Sequence, residues 1–557
     1  MNTAGSDRGP CDRFRGREFG VHLDPQRMQQ EAAAGRWPNR VLLDYFDVTV
    51  RDHPWDLALV AYRMEDGTRS DFSYAELDEL VDLISANLSR LGVSRGDTVS
   101  YQLPNWWESV AIHLACLRVG AVSNPLMPIF RERELQFMLN NAESKVLIVP
   151  KSFRKFDHEG LAAGLQKSFP LLHVLVIGGK GDHSFETALL GSCGQTPHEE
   201  ECRIRPNDVM KLMYTSGTTG EPKGVLHTSN TLLSSLHRVS ERLNLGGRDV
   251  LFMPSPFAHS IGFCYGMMMS IYLGRPLITM DIWDREKAVD IIEEHRVTYT
   301  FGATPFLSDL IDVAGIDKRD IENFRLFMTA GAPVPPSLVE SATTTLNADV
   351  ICGWGMTETG LVTTTLPAEM QAGLGTDGIA LPDHEIRIAG AGNSGLPAGE
   401  AGELLCRGPT TFIGYFKRPD LYAVDAHGWF DTGDVARMNE RGYINIVGRS
   451  KDIIIRGGEN IPVVEVEKLM FEMPQIREVA LVAMPDPRLG EKGCAFVTLH
   501  EGCTLTLEEL TDFLEEKKLA RQYMPERLEI LDKMLITPSG KIQKYALREI
   551  VNQRVTH

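Results

Sequence analysis

The chain has 557 residues, a formal net charge of −18, 43% hydrophobic and 24% charged residues; this implies a globular protein with more than one folding unit. A net acidic surface repels phosphate backbones, so nucleic acid is not an expected partner. Nine scattered cysteines with no C-x-x-C pair predict free thiols in a reducing compartment, and without an apolar leader or a run of membrane-spanning length the chain is expected to be soluble and cytoplasmic.

The first 40 or so residues are polar and rich in Arg and Gln, and read as an arm or an irregular lead-in. The first clear element opens at Ser73. Ser73 and Glu76 form an S-x-x-E capping box, and Leu77, Leu80, Val81, Ile84, Leu88 and Leu91 recur at helical spacing until Gly92. Val99, Tyr101 and Leu103 then alternate as a strand, and residues 107–119 read as a second helix. The runs 145–149 (KVLIV) and 172–177 (LHVLVI) have the composition of buried parallel strands, so the main body reads as α/β. Beyond residue 450 the texture changes. A helix from about Pro462, strands near 479–483 and 495–499, and a helix opened by a second capping box at Thr506 and Glu509 give residues 451–557 the size of an independent domain.

The densest local signal is residues 214–224, YTSGTTGEPKG. Glycines at 217, 220 and 224, hydroxyls from Tyr214, Thr215, Ser216, Thr218 and Thr219, and Lys223 make a loop able to wrap phosphate oxygens. A solvated turn is the alternative. It is not a Walker A loop, because Lys223 lies between Pro222 and Gly224.

These residues resemble the phosphate loop of the adenylate-forming superfamily, which contains acyl-CoA synthetases, peptide-synthetase adenylation domains and firefly-type luciferases. Stretches similar to the family's other motifs follow in order: Gly331-Ala332-Pro333, 353–359 (GWGMTET), 428–434 (GWFDTGD), 448–452 (GRSKD) and 538–541 (PSGK). The resemblance implies an α/β fold with a large layered N-terminal domain, residues 1–450, carrying a small barrel subdomain, plus a mobile smaller α+β C-terminal domain, residues 451–557. It implies ATP, Mg²⁺ and CoA as cofactors and a small carboxylic acid as the partner substrate; a homodimer is among the expected assemblies.

By the same resemblance, Thr215, Ser216, Gly217, Thr218, Thr219, Gly220 and Lys223 hold phosphates. Gly331, Ala332 and Pro333 lie along adenine and Trp354 stacks on it; a buried core tryptophan is the alternative for Trp354. Thr357 touches the α-phosphate and Glu358 ligates Mg²⁺, unless Glu358 is a surface carboxylate. Asp434 takes the ribose hydroxyls, braced by Arg449, with a helix cap as the alternative for Asp434. Lys541 is the catalytic lysine, bridging carboxylate and α-phosphate, with an exposed lysine after a Pro-Ser-Gly turn as the alternative; no general base is needed, because an ionised carboxylate is itself the nucleophile. Lys451 marks a hinge and Gly458 lines the thiol tunnel. His259 sits at the junction of acyl pocket and tunnel, or is a core histidine.

Phe257, Ala258, His259 and Ser260, residues 301–305, Gly331 and Gly355 should surround the acyl group. Amino-acid-activating relatives carry Asp where Ala258 stands, and burying an ammonium unpaired is costly; acetate-activating ones carry Trp where Gly355 stands. Both substrates are therefore disfavoured. Residues 102–126 and 453–467 most resemble bacterial CoA ligases for short-to-medium-chain or alicyclic acids such as cyclohexanecarboxylate. The expected activity is an AMP-forming acid:CoA ligase. A stand-alone enzyme loading a carrier protein, a luciferase-like oxygenase and a non-catalytic nucleotide-binding protein are the alternatives.

Overall fold

The Ser73 hydroxyl oxygen accepts a hydrogen bond from the Glu76 amide, and the Glu76 carboxylate accepts one from the Ser73 amide, opening the helix Tyr74–Arg90. Its stripe of Leu77, Val81, Ile84 and Leu88 is buried, and Gly92, at φ +81°, turns the chain away from the helix end. The computed structural model describes residues 20–192, 202–215, 222–331, 334–390, 394–449, 454–456, 459–537 and 541–555.

The apolar runs expected as buried strands are Ser144–Pro150 and His173–Ile177, paired in parallel, with Thr98–Tyr101 parallel on the other side of Ser144–Pro150. Their six-stranded sheet runs Lys223–Thr228, Val209–Thr215, Val122–Pro125, Thr98–Tyr101, Ser144–Pro150, His173–Ile177. Parallel neighbours need crossovers, supplied here by the helices Trp107–Arg118, Glu132–Ala142 and His158–Ser168. In a second sheet Leu57–Arg63 pairs with Thr68–Ser73 and Leu277–Met280, and Leu251–Met253 pairs in parallel with Leu277–Met280 and Tyr299–Gly302.

The lead-in is not irregular over its described part. Asp24 caps the helix Pro25–Ala33, Trp37 is buried and donates its indole N–H to the Pro409 carbonyl at 2.8 Å, and the helix Leu42–Asp52 buries Leu42, Leu43 and Phe46. The polar composition misled because Pro25–Ala33 has no fully buried residue of its own.

The chain forms two compact units: Met1–Phe301 with Met356–Gly360 and Pro409–Ala423, and Gly302–Gly355 with Leu361–Gly408 and Val424–His557. In the second, Leu326–Ala330 runs parallel to residues 349–353, and Glu385–Ala389, Ala401–Arg407, Phe430–Met438 and Ile444–Arg449 form a four-stranded antiparallel sheet. Past residue 450, Ile476–Asp486 and Gly490–Leu499 form an antiparallel pair extended by Ile454–Arg456 and Arg527–Ile530. Alternation sends Val479, Leu481, Ala495 and Val497 to one apolar cluster, covered by the helices Val463–Phe471 and Leu507–Glu516, and Ala480, Val482, Cys494 and Phe496 to another, covered by the helix Lys544–Val555. The fold is α/β with a large N-terminal and a smaller C-terminal domain. No described helix is long and apolar enough to cross a membrane.

Candidate active site

Within residues 214–224, expected to hold phosphates, two antiparallel strands meet in a register that sets Thr215 opposite Lys223 and Tyr214 opposite Gly224. Ser216, Gly217, Thr218, Thr219 and Gly220 lie outside the described residues. Tyr214 is buried, and its hydroxyl donates to Asn141 Oδ1 at 2.8 Å. Gly224 is a packing glycine, since a Cβ there would lie 2.7 Å from Leu212 Cδ1.

Lys223 rests its ammonium 5.0 Å from the centre of the Tyr415 ring, and the Tyr415 hydroxyl donates to Glu358 Oε1 at 2.8 Å. Glu358 is buried. The neighbouring Thr357 is half-buried, and its carbonyl is held by His227 Nε2 at 2.7 Å. Burial pushes His227 well below the ordinary histidine range, so its ring is neutral and the Nε2 proton is donated to that carbonyl. Thr357, Glu358 and Lys223 are thus brought into one neighbourhood of the first unit, with Thr215 across the hairpin from Lys223. His259 opens the wide-turned helix Ile261–Met268, its Nδ1 accepting from the Ile261 amide at 3.3 Å.

A second set lies in the other unit. Trp354 donates its indole N–H to Asp434 Oδ2 at 2.9 Å, and the antiparallel register sets Arg449 opposite Asp434, with Arg449 Nε 3.0 Å from Oδ1. That approach pairs the two charges at Oδ1, and a carboxylate oxygen with one such neighbour keeps further acceptor capacity. Burial pushes the Asp434 carboxyl above its usual range, opposed by the charges of Arg449 and Lys541 and by the Trp354 hydrogen bond. Gly331 stands at φ +88°, and a Cβ there would lie 2.9 Å from Lys541 Cε. The lysine arm therefore lies against the glycine. Lys541 is set by Thr537, whose amide donates to the Lys541 carbonyl at 2.6 Å while Thr537 Oγ1 accepts from the Lys541 amide at 3.0 Å. Ala332, Pro333 and Gly458 lie outside the described residues.

The AMP-binding enzyme family matches residues 46–416, and the AMP-binding enzyme C-terminal domain matches residues 465–541. This chain belongs to the AMP-binding enzymes, on the acyl-CoA synthetase branch. A medium-chain fatty-acid–CoA ligase of Escherichia coli (strain K12) is 34% identical over 566 residues, spanning 100% of this chain and 99% of that protein. A salicylyl-CoA synthase / salicylate adenylyltransferase of Streptomyces sp is 31% identical over 531 residues, with 93% and 94% coverage. Among solved structures, ATP-bound MatB from Rhodopseudomonas palustris superposes with a TM-score of 0.81 at 27% identity, covering 92% of this chain and 99% of that one.

For this AMP-binding enzyme, the described residues contain no group of three or more His, Cys, Asp and Glu able to hold a metal ion. A lone buried carboxylate still suits Mg²⁺, which takes one or two carboxylates and completes its shell with phosphate oxygens and water; Glu358 fits that demand. Sequence reasoning missed Tyr415, His227 and Lys211. Lys211 is fully buried on Val209–Thr215 with Nζ 3.8 Å from Cys264 Sγ; burial depresses its pKa, while the charges of Cys264 and Glu358 act to raise it. A lysine inside a strand otherwise apolar was the available signal.

Proposed function

We propose that the protein is an AMP-forming ligase joining a medium-chain fatty acid or an alicyclic acid to CoA. The acid's carboxylate oxygen attacks the α-phosphorus of ATP, the bond to the pyrophosphate oxygen breaks, and an acyl-adenylate and pyrophosphate result. The CoA thiol sulfur then attacks the acyl carbonyl, AMP departs and the thioester forms. Lys541 neutralises charge that accumulates on the α-phosphoryl oxygens in the first step. Asp434 and Arg449 hold the ribose, Gly331, Ala332, Pro333 and Trp354 the adenine, and Thr215, Ser216, Gly217, Thr218, Thr219, Gly220, Lys223 and Thr357 the phosphates. Glu358 would hold Mg²⁺, which supplies charge neutralisation at those phosphates when bound.

The observation that carries the first half-reaction is the Lys541 arm against Gly331, with its charge felt at Asp434. In the second half-reaction residues 451–557 turn about Lys451, bringing Gly458 to the thiol path near His259. The medium-chain preference is supported by the Escherichia coli relative's name and by Gly355 and Ala258, which leave the acyl site neither filled nor charged.

The test is pyrophosphate release from ATP and Mg²⁺ over acetate, butyrate, hexanoate, decanoate, cyclohexanecarboxylate and benzoate, each with and without CoA. Turnover sustained only with CoA, best with hexanoate, decanoate or cyclohexanecarboxylate, is expected. An acid-dependent burst that CoA does not relieve would move the acceptor to a carrier protein.

A further inference from the structure

We propose that Tyr415 is a positioning residue for Glu358, and that residues 20–37 are the strap that fixes Tyr415; the inference rests on Glu358 acting as the Mg²⁺ ligand. Glu358 hangs on one short segment at both its ends. The Phe412 amide donates to the Glu358 carbonyl at 2.7 Å, Thr410 Oγ1 donates to the Thr359 carbonyl at 2.6 Å, and the Tyr415 hydroxyl holds Oε1. With Oε1 committed to a buried phenol, Oε2 is held in one direction. Mg²⁺ demands near-ideal octahedral geometry, so the orientation of its few protein oxygens matters more than for a permissive cation.

Residues 409–416 lie outside the regular strands and are held by hydrogen bonds to the segments that flank them. On one side the Leu226 amide donates to Gly414, the Ile413 amide to Leu226 and the Phe416 amide to Gly224, tying the segment to the strand Lys223–Thr228. On the other side the His22 amide donates to the Ile413 carbonyl at 2.6 Å, Arg27 to the Thr411 carbonyl at 2.7 Å and the Trp37 indole to the Pro409 carbonyl at 2.8 Å. The backbones touch where both residues are glycine: a Cβ on Gly414 would lie 1.6 Å from the Gly20 carbonyl oxygen, and one on Gly20 1.9 Å from that of Tyr415. His22 also stacks on Tyr422, ring centres 4.1 Å apart. A displaced strap would therefore shift the segment that carries the Glu358 backbone and the Tyr415 hydroxyl together.

The experiment compares Tyr415→Phe, Arg27→Ala, Glu358→Gln and the double variant Y415F/R27A in the full chain. Binding of a non-hydrolysable ATP analogue is measured by calorimetry across a Mg²⁺ series, beside thermal melts and acyl-adenylate formation. Tyr415→Phe keeps the ring beneath Lys223 and removes only the hydroxyl. Expected are a rise of about 10-fold or more in the Mg²⁺ needed for half-maximal analogue binding, an unchanged KM for the acid, a smaller shift of the same kind in Arg27→Ala, and no further shift in the double variant. If Glu358→Gln changes the Mg²⁺ dependence and Tyr415→Phe does not, the positioning role is overturned and the ligand assignment stands. If neither changes it, both fall. A Tyr415→Phe protein that binds the analogue more weakly by one factor at every Mg²⁺ concentration has lost structure only, which also overturns the proposal.

Discussion

Trp354 Nε1 and Asp434 Oδ2 are 2.9 Å apart, a hydrogen bond that joins two of the stretches resembling nucleotide-binding motifs inside one buried pair. Replacing Trp354 with Phe removes a donor from a buried carboxylate and should cost about 1.5–3 kcal/mol of stability. It should also change the pH profile. Burial already raises Asp434 above the ordinary aspartate value, and the indole hydrogen bond opposes that rise. A folded pKa above the unfolded one means the native state holds the proton more tightly, so this group's contribution to stability grows as pH falls through the folded value. In Trp354→Phe the folded value rises further, and the acid limb of kcat/KM for ATP should move to higher pH. An unmoved limb would detach Asp434 from the nucleotide.

Lys541→Ala should lower acyl-adenylate formation by about 10²-fold or more, the size of a lost electrostatic stabiliser. Thioester formation from supplied acyl-adenylate should continue. Gly331→Ala should share the pattern in weaker form, because the new Cβ meets the lysine arm at 2.9 Å and the residue is forced to φ +88°. Equal losses in both assays would remove Lys541 from its assigned step.

Lys468 Nζ donates to the Gly375 carbonyl at 3.4 Å, and its charge opposes the burial that raises Asp377. In the proposed cycle this contact belongs to the orientation that sets Lys541 against Gly331. Lys468→Met should slow adenylate formation about fivefold, the rate equivalent of ~1 kcal/mol, with the thioester step unchanged. Parallel assays of pyrophosphate release and of thioester formation from acyl-adenylate decide it.

Lys211 is a buried lysine whose folded pKa lies below its ordinary value. The unfolded chain binds that proton more readily, so the group destabilises the fold most at lower pH and the penalty fades as pH rises toward the unfolded lysine value. Lys211→Met should be more stable than wild type by on the order of 1 kcal/mol at neutral pH. The gap between the two melting temperatures should narrow as pH is raised from 7 to 10. A gap that is constant with pH would show that charge burial is not its cause.

Much of the fold was readable locally. Capping boxes at Ser73 and Thr506 and short β-branched runs announce themselves because their signals lie within a few residues, and the helices at Tyr74–Arg90 and Leu507–Glu516 start where those boxes place them. The motif residues were readable as residue types at known spacings. Other contacts had no local signal. Arg449 comes opposite Asp434 only through the register of Phe430–Met438 on Ile444–Arg449. Tyr415 reaches Glu358, and His227 the Thr357 carbonyl, across long stretches of chain.

By itself the sequence determined the α/β class, the family and the chemistry its side chains can perform, since residue type, local spacing and periodicity carry that information. Tertiary structure decided which oxygen of Asp434 the indole holds, which carboxylate Tyr415 orients, and that a polar lead-in becomes a clamp on residues 409–416. Those are facts of distance and direction between remote segments, and a linear pattern does not encode the packing that sets them.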